Sequence, residues 1–284
     1  MHNLVLLQNS AQLTVGSRTA ETSSVLTIWD FISGTSDERP FNEAYAEKVL
    51  GLLRTSCPGA PRVLDLGGGA GNPSIALTRA GCNVTLIDKD EQLLGAARER
   101  SRSAGVELRC ELEDWRDFLV RQIDEAARYD AVLFLGNALG YQDSWPDKDV
   151  PRRRPADSIA PTLDLCRRVL APGGVVVVEA PFEPVSESRD VYVRFHPPLA
   201  EGGALSTTSV WVVSYDEEGA SREVDTMIVV PAEGGVSRVK ERVKFSGWLL
   251  TRARLGEAAE AAGLRAEFDP PPFRSMFEVA LLRA

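Results

Sequence analysis

The residues with the most chemical content lie in "VLDLGGGAGNPSIAL", residues 63–77. An apolar run meets an acid, Asp65, and then glycines including Gly67, Gly69 and Gly71 before a helical pattern begins. Glycines so placed let the backbone turn sharply from strand to helix and let a ligand lie against it, because a Cβ would clash. The ligand is open at this point: such turns hold a pyrophosphate in some folds and a nucleoside-linked amino acid in others. A dinucleotide fold asks for G-x-G-x-x-G, and the third position of that pattern is Asn72. Asp88, followed by Lys89, ends "NVTLID", where a carboxylate can accept both hydroxyls of a ribose in either kind of fold. In "CELEDW" (110–115), Glu113, Asp114 and Trp115 offer acids and an aromatic ring to the edge and face of a purine. Asp65 and Asp88 each also have a plainer role open, capping the helix that follows, and Trp115 that of a packed aromatic.

These residues need elements to carry them, and the chain alternates accordingly. "RVLDLG" (62–67), "NVTLID" (83–88), "VELRCE" (106–111), "YDAVLFLG" (129–136) and "VVVVEA" (175–180) read as strands. The helical patterns between them are 73–81, 91–105 and 158–174, the last ending at Pro172 and two glycines, and an acidic, amphipathic stretch (114–128) precedes the strand at 129–136. A further helix precedes the first strand at 42–54. Strands alternating with helices predict a doubly wound α/β fold, a mostly parallel sheet covered on both faces. From 185 to 247 the period changes to β-rich runs separated by "DEEGAS" and "AEGG", an inserted antiparallel meander. The α/β pattern resumes at 248–284 with a helix (251–263) and two strands (264–269 and 276–283) that suit a closing hairpin. The expected organisation is an N-terminal arm (1–24), an α/β core (25–184 and 248–284) and the insertion (185–247).

Bulk composition narrows the partners. The 284 residues hold 32 basic and 41 acidic side chains, a net charge of −9, which opposes binding to a phosphate backbone. The basic cluster "PRRRP" (151–155) sits between prolines and reads as a solvated loop. Four scattered cysteines without a CxxC pair fit reduced thiols and no metal site. "MHNLVLLQNS" does not read as a signal peptide, and no apolar run approaches the ~20 residues of a membrane span. The expectation is a cytoplasmic protein with a small-molecule partner, neither nucleic acid nor membrane.

The run D-x-G-x-G-x-G, with its acid two residues before the first glycine, resembles the class I S-adenosylmethionine-dependent methyltransferases. Around "GTSDER" and "YDAVLFLGNALGYQDSW" the chain is more particularly similar to the glycine N-methyltransferase-like family. That resemblance implies a seven-stranded Rossmann-like sheet, S-adenosylmethionine as cofactor, S-adenosylhomocysteine as product, and no metal. A cationic sulfonium and amino group suit the acids of this turn better than a phosphate would. In the family an arm before the core closes over the cofactor, so Trp29 and Arg39 become candidate contacts, with Arg39 meeting the cofactor carboxylate. Arms of this kind can cross subunit contacts, so a homo-oligomer is expected. The resemblance also implies that Leu135 and Gly136 border the cofactor and that Asn137 and Tyr141 border methyl transfer. Where the family holds a substrate carboxylate with an arginine after the fifth strand, this chain has "VEAPFEP" (178–184) and no arginine, which disfavours free glycine.

In-line methyl transfer asks mainly for positioning. A neutral amine needs only an aimed lone pair, which an asparagine can orient. A hydroxyl needs a base. Glu179, at the strand end, can hold a cationic amine or act as a base, and His196 in "RFHPPL" is a second base candidate. The expected activity is N-methylation of an amine, amino sugar or natural-product intermediate, with O-methylation as the alternative. A nicotinamide-dependent oxidoreductase and a non-catalytic binding protein are the more distant readings.

Overall fold

The structure is a computed structural model, and it describes residues 4–6, 38–57, 59–143, 155–181, 189–196, 207–215, 221–231, 237–268, 270, 272 and 277–284. Contacts divide the chain into two compact units, residues 43–183 with 248–284, and residues 1–42 with 184–247.

The elements begin with β1 (Leu4–Leu6) and α1 (Glu38–Ser56). The α/β alternation follows: β2 (Arg62–Leu66), α2 (Ser74–Arg79), β3 (Asn83–Asp88), α3 (Glu91–Ser103), β4 (Arg109–Leu112), α4 (Trp115–Asp124) and β5 (Tyr129–Phe134). A 3-10 turn (Ala138–Tyr141) leads towards α5 (Pro155–Val169) and β6 (Leu170–Ala180). Then come β7 (Arg189–His196), β8 (Thr207–Tyr215), β9 (Ser221–Pro231) and β10 (Ser237–Trp248). The chain closes with α6 (Arg252–Ala261), β11 (Arg265–Glu267) and β12 (Glu278–Arg283).

Seven strands form the core sheet in the order β11-β12-β6-β5-β2-β3-β4. The strands β6, β5, β2, β3 and β4 run parallel, while β12 is antiparallel to both β6 and β11. Alternation of side chains along each strand divides the interior. On one face Leu64, Leu66, Val132, Phe134, Val176 and Val178 pack with residues of α4, α5 and α6. On the other, Val63, Ala131, Leu133, Val175 and Val177 pack with Tyr45, Val49 and Leu53 of α1 and Leu77 of α2. A strand buried on both faces reads as a continuous apolar run, as "AVLFL" and "VVVV" do.

The expected helix over 158–174 ends earlier, at Val169. β6 already pairs at Leu170, then shifts register before pairing steadily from Val175. The Pro-Gly-Gly residues thus form an excursion at the strand's start, with Gly173 at φ +78°. The expected strand over 106–111 is shorter and later, at 109–112. In the second unit β1, β7, β8, β9 and β10 make a five-stranded sheet in that order. The pairs β1–β7, β7–β8 and β8–β9 are antiparallel. Among the described residues no helix is long and apolar enough to cross a membrane, and no group of His, Cys, Asp and Glu could hold a metal ion.

Candidate active site

Because β2 to β6 are parallel, their carboxyl ends share one edge, where ligands of open α/β sheets bind. The glycine turn lies there. The Gly67 N–H donates to the Ile87 carbonyl at 2.8 Å, and the Gly69 N–H donates to Asp88 Oδ2 at 2.9 Å. Gly67 has φ +74°, and a Cβ on it would come within 2.9 Å of Trp115 Cζ3. Gly68, not singled out in the sequence, is more restricted still: a Cβ there would lie 2.6 Å from Asp65 Oδ2 and 2.7 Å from Leu86 Cγ. The turn therefore rests on an indole from below and on a carboxylate from behind.

Asp88 organises this corner. Its Oδ1 accepts from the Asp90 N–H at 2.9 Å, and its backbone carbonyl accepts from the Glu113 N–H at 3.2 Å. Burial raises its pKa, against the lowering effect of the Asp90 and Gly69 N–H bonds. The cap of α3 is Asp90, which accepts from Gln92 and Leu93, so Asp88 is not the helix cap. Asp65 does not cap α2 either. It is 1% exposed, and its Oδ2 accepts from the Ser74 hydroxyl at 2.5 Å. Its Oδ1 has no hydrogen-bond partner among the described residues. Burial pushes its pKa up to about 7, the Ser74 bond opposes this, and the Asp88 charge adds to it.

Beyond β4, Glu113 accepts from Arg121 at 2.6 Å, and Asp114 caps α4 by accepting from the Arg116 N–H at 2.9 Å. Trp115 packs edge-on to Phe134, centroids 5.4 Å apart, with its indole N–H buried and without a partner among the described residues. Lys89 points to solvent.

The end of β5 is the second cluster. Leu135 is buried, and Gly136 and Asn137 follow with φ of +63° and +66°. A left-handed backbone costs an L-residue roughly 1–2 kcal/mol, least for asparagine. The Asn137 side chain is 1% exposed, and neither amide atom has a partner among the described residues. A buried polar atom without a partner costs about 1–3 kcal/mol. Gly140 makes room for this amide, since a Cβ there would lie 2.7 Å from Asn137 Oδ1. Glu179 joins the cluster from β6: its Oε2 accepts from the Gly136 N–H at 2.7 Å and from the Tyr45 hydroxyl at 2.9 Å. Tyr141 is half-buried in the 3-10 turn.

The structure thus brings together Asp65, Gly67, Gly69, Asp88 and Trp115, and separately Leu135, Gly136, Asn137 and Glu179. Trp29 lies outside the described residues. Arg39 falls in the first turn of α1 and His196 ends β7, both in the other unit, with only the backbone described. Sequence reasoning missed Gly68, Ser74 and Tyr45. Gly68 was visible as the middle glycine of three, whereas Ser74 and Tyr45 carry no local signal.

The fit to the cofactor that the resemblance implies can be judged from these atoms. Asp88 suits a ribose in either kind of fold, whereas Asp65, buried against the glycine turn, offers an acid where a pyrophosphate would need donors. The buried Asp65 Oδ1 is the partner that an ammonium group would satisfy. A nucleoside-linked amino acid with a cationic end suits this donor set.

Residues 63–174 match a family model described as a methyltransferase domain. A glycine/sarcosine N-methyltransferase of Halorhodospira halochloris is 36% identical over 121 residues, 43% of this chain and 40% of that protein. A ubiquinone biosynthesis O-methyltransferase of Xylella fastidiosa is 32% identical over 125 residues, 44% of this chain and 43% of that protein. The chain therefore spans less than half the length of either curated relative. Among solved structures, Streptomyces venezuelae DesVI superposes with a TM-score of 0.69 at 20% identity, covering 93% of this chain and 99% of that one. The sugar N-methyltransferase KedS8 from Streptoalloteichus sp superposes with a TM-score of 0.62 at 20% identity, covering 96% and 100%. Residues 63–174 thus carry a methyltransferase domain, and the seven-stranded sheet around them has the fold of the class I S-adenosylmethionine-dependent methyltransferases.

Proposed function

We propose that this protein transfers a methyl group from S-adenosylmethionine to the amine of a small molecule, with amino sugars as the favoured acceptor class. The observation that carries the reading is Asn137: a buried amide at the sheet edge, in a left-handed turn, with both polar atoms unspent among the described residues. Its oxygen can accept an N–H of the acceptor and so turn the nitrogen lone pair towards the methyl, which is the positioning that in-line transfer needs. The likeness to a curated N-methyltransferase and to a sugar N-methyltransferase fold supports the same choice.

When bound, S-adenosylmethionine supplies an electrophilic methyl group on a sulfonium sulfur. Asp65 would meet its ammonium group, Asp88 its ribose hydroxyls, and the Gly67–Gly69 backbone would lie against it. Trp115 closes the floor of the turn, and Leu135 and Gly136 border the reacting end. We assign Glu113 and Asp114 to the purine side, where Arg121 and the start of α4 hold them in place. Tyr141 is assigned to the acceptor side. Trp29 and Arg39 remain the proposed contacts from the N-terminal segment. A neutral amine attacks without prior deprotonation and sheds its proton after the C–N bond forms.

O-methylation is the second reading, favoured by the likeness to the O-methyltransferase over a similar share of the chain. It requires a base, for which His196 is the candidate. The test is incubation with cofactor and a panel of amines, amino sugars and phenols, with products read by mass spectrometry. Methylated amines are expected. Products from phenols alone would overturn N-methylation, and calorimetry showing no S-adenosylhomocysteine binding would overturn the whole reading.

A further inference from the structure

Glu179 interrupts a pattern. On its face of β6 the preceding residues are Val175 and Val177, both fully buried, and Glu179 is itself 0% exposed. A carboxylate in such surroundings is tolerated only when hydrogen bonds replace its lost water. Its Oε2 has two of them, from Tyr45 of α1 and from the Gly136 N–H. Its backbone carbonyl accepts the next N–H along, that of Asn137, at 2.9 Å. One residue therefore grips two successive amides of the same turn, one with its side chain and one with its backbone.

The consequence is mechanical. The backbone bond pins Asn137 to the sheet, while the side-chain bond sets the tilt of the peptide just before it. That tilt keeps both Gly136 and Asn137 in the left-handed region and fixes the direction in which the Asn137 side chain leaves the backbone. We propose that Glu179 is a positioning residue: it holds the Gly136–Asn137 turn in shape and so aims the Asn137 amide at the acceptor, with Tyr45 steadying Glu179 from α1. This rests on the reading above that Asn137 faces the acceptor.

The charge and the geometry can be separated, because glutamine keeps an acceptor oxygen at the same reach and removes the charge. The wild type and the variants Glu179→Gln, Glu179→Ala and Tyr45→Phe are loaded with S-adenosylmethionine labelled with 13C in its transferable methyl. The bound methyl resonance reports the surroundings of the reacting carbon without needing the acceptor. Glu179→Gln is expected to keep the wild-type resonance, Glu179→Ala to shift it clearly, and Tyr45→Phe to shift it slightly in the same sense. A shift in Glu179→Gln as large as in Glu179→Ala would overturn the proposal, since the charge itself would then matter. So would an unmoved resonance in Glu179→Ala, or a larger shift in Tyr45→Phe than in Glu179→Ala. If Glu179→Ala does not fold, as read by its melting curve, Glu179→Leu replaces it, and Glu179→Gln decides alone if neither folds. A wild type that binds no labelled cofactor would defeat the methyltransferase reading, an outcome distinct from any difference among the variants.

Discussion

At the β2–β3 end of the sheet edge, Asp88 is met by an amide 19 residues away and Asp65 by a hydroxyl 9 residues away. At the β5–β6 end, Glu179 is met by an amide 43 residues away and a hydroxyl 134 residues away. The first corner is largely a local device: its acids and glycines lie in one stretch from Asp65 to Asp90, held chiefly by backbone amides, with Glu113 and Trp115 added from beyond β4. The second is assembled from α1, the turn after β5 and the end of β6, and depends on side chains. A local device can pass unchanged between proteins that share a cofactor. An assembled one can change whenever any of its three parts changes, as a site that chooses among acceptors would require.

The contrast can be broken by substitution. Gly68→Ala should do most damage, because the new Cβ would meet Asp65 and Leu86, neither of which is a flexible tip. Overpacking of about 1–3 kcal/mol at the cradle should lower S-adenosylhomocysteine affinity by roughly tenfold to a hundredfold by calorimetry. Asp88→Ala should weaken the same binding by roughly tenfold or more, since it also strands the Gly69 and Asp90 N–H groups. Asn137→Ala, in the other corner, should separate the two: turnover of the acceptor found in the panel falls about tenfold through lost orientation, while S-adenosylhomocysteine affinity stays within about twofold. Equal losses of binding in the last two would erase the distinction between the corners.

The smallest effect concerns pH. Asp65 binds its proton more tightly in the fold, up to about 7, than its ordinary 3.8. The folded state therefore holds the extra proton, and the stability linked to it is present at low pH and lost as pH rises from about 4 to about 7. Between about pH 5 and pH 7.5 the melting temperature of the ligand-free wild type should fall by roughly 5 °C relative to Asp65→Asn, whose difference from wild type should flatten above that window. Parallel melting profiles would place the proton elsewhere.

Much of the fold was legible because periodicity records burial. "NVTLID" coincides with β3, and the change of period after residue 185 corresponds to β7–β10. The β6 start was misjudged because Pro172 and two glycines look like a stop, whereas the strand accommodates them as an excursion before its steady pairing. In the site, Asp65 and Asp88 were legible as acids at strand ends, but not the means of holding them. Ser74 is an ordinary helix-start serine until α2 brings it beneath Asp65. Glu179 was visible as an acid at the right edge, but its role depends on Tyr45, which no local pattern links to it. Trp115 sits at the junction: the ring that can face a purine is also the surface on which Gly67 rests.

Asp88 also sets a quota. A carboxylate offers about four lone-pair positions. Two are already taken, by the N–H groups of Gly69 and Asp90. Among the described residues two remain, one on each oxygen, and the ribose diol proposed for this corner would bring two donors. A sugar lacking one hydroxyl would leave a vacancy, and one bearing a phosphate would bring a second anion where a donor is required. The backbone bonds that shape the corner thus also count what it can hold.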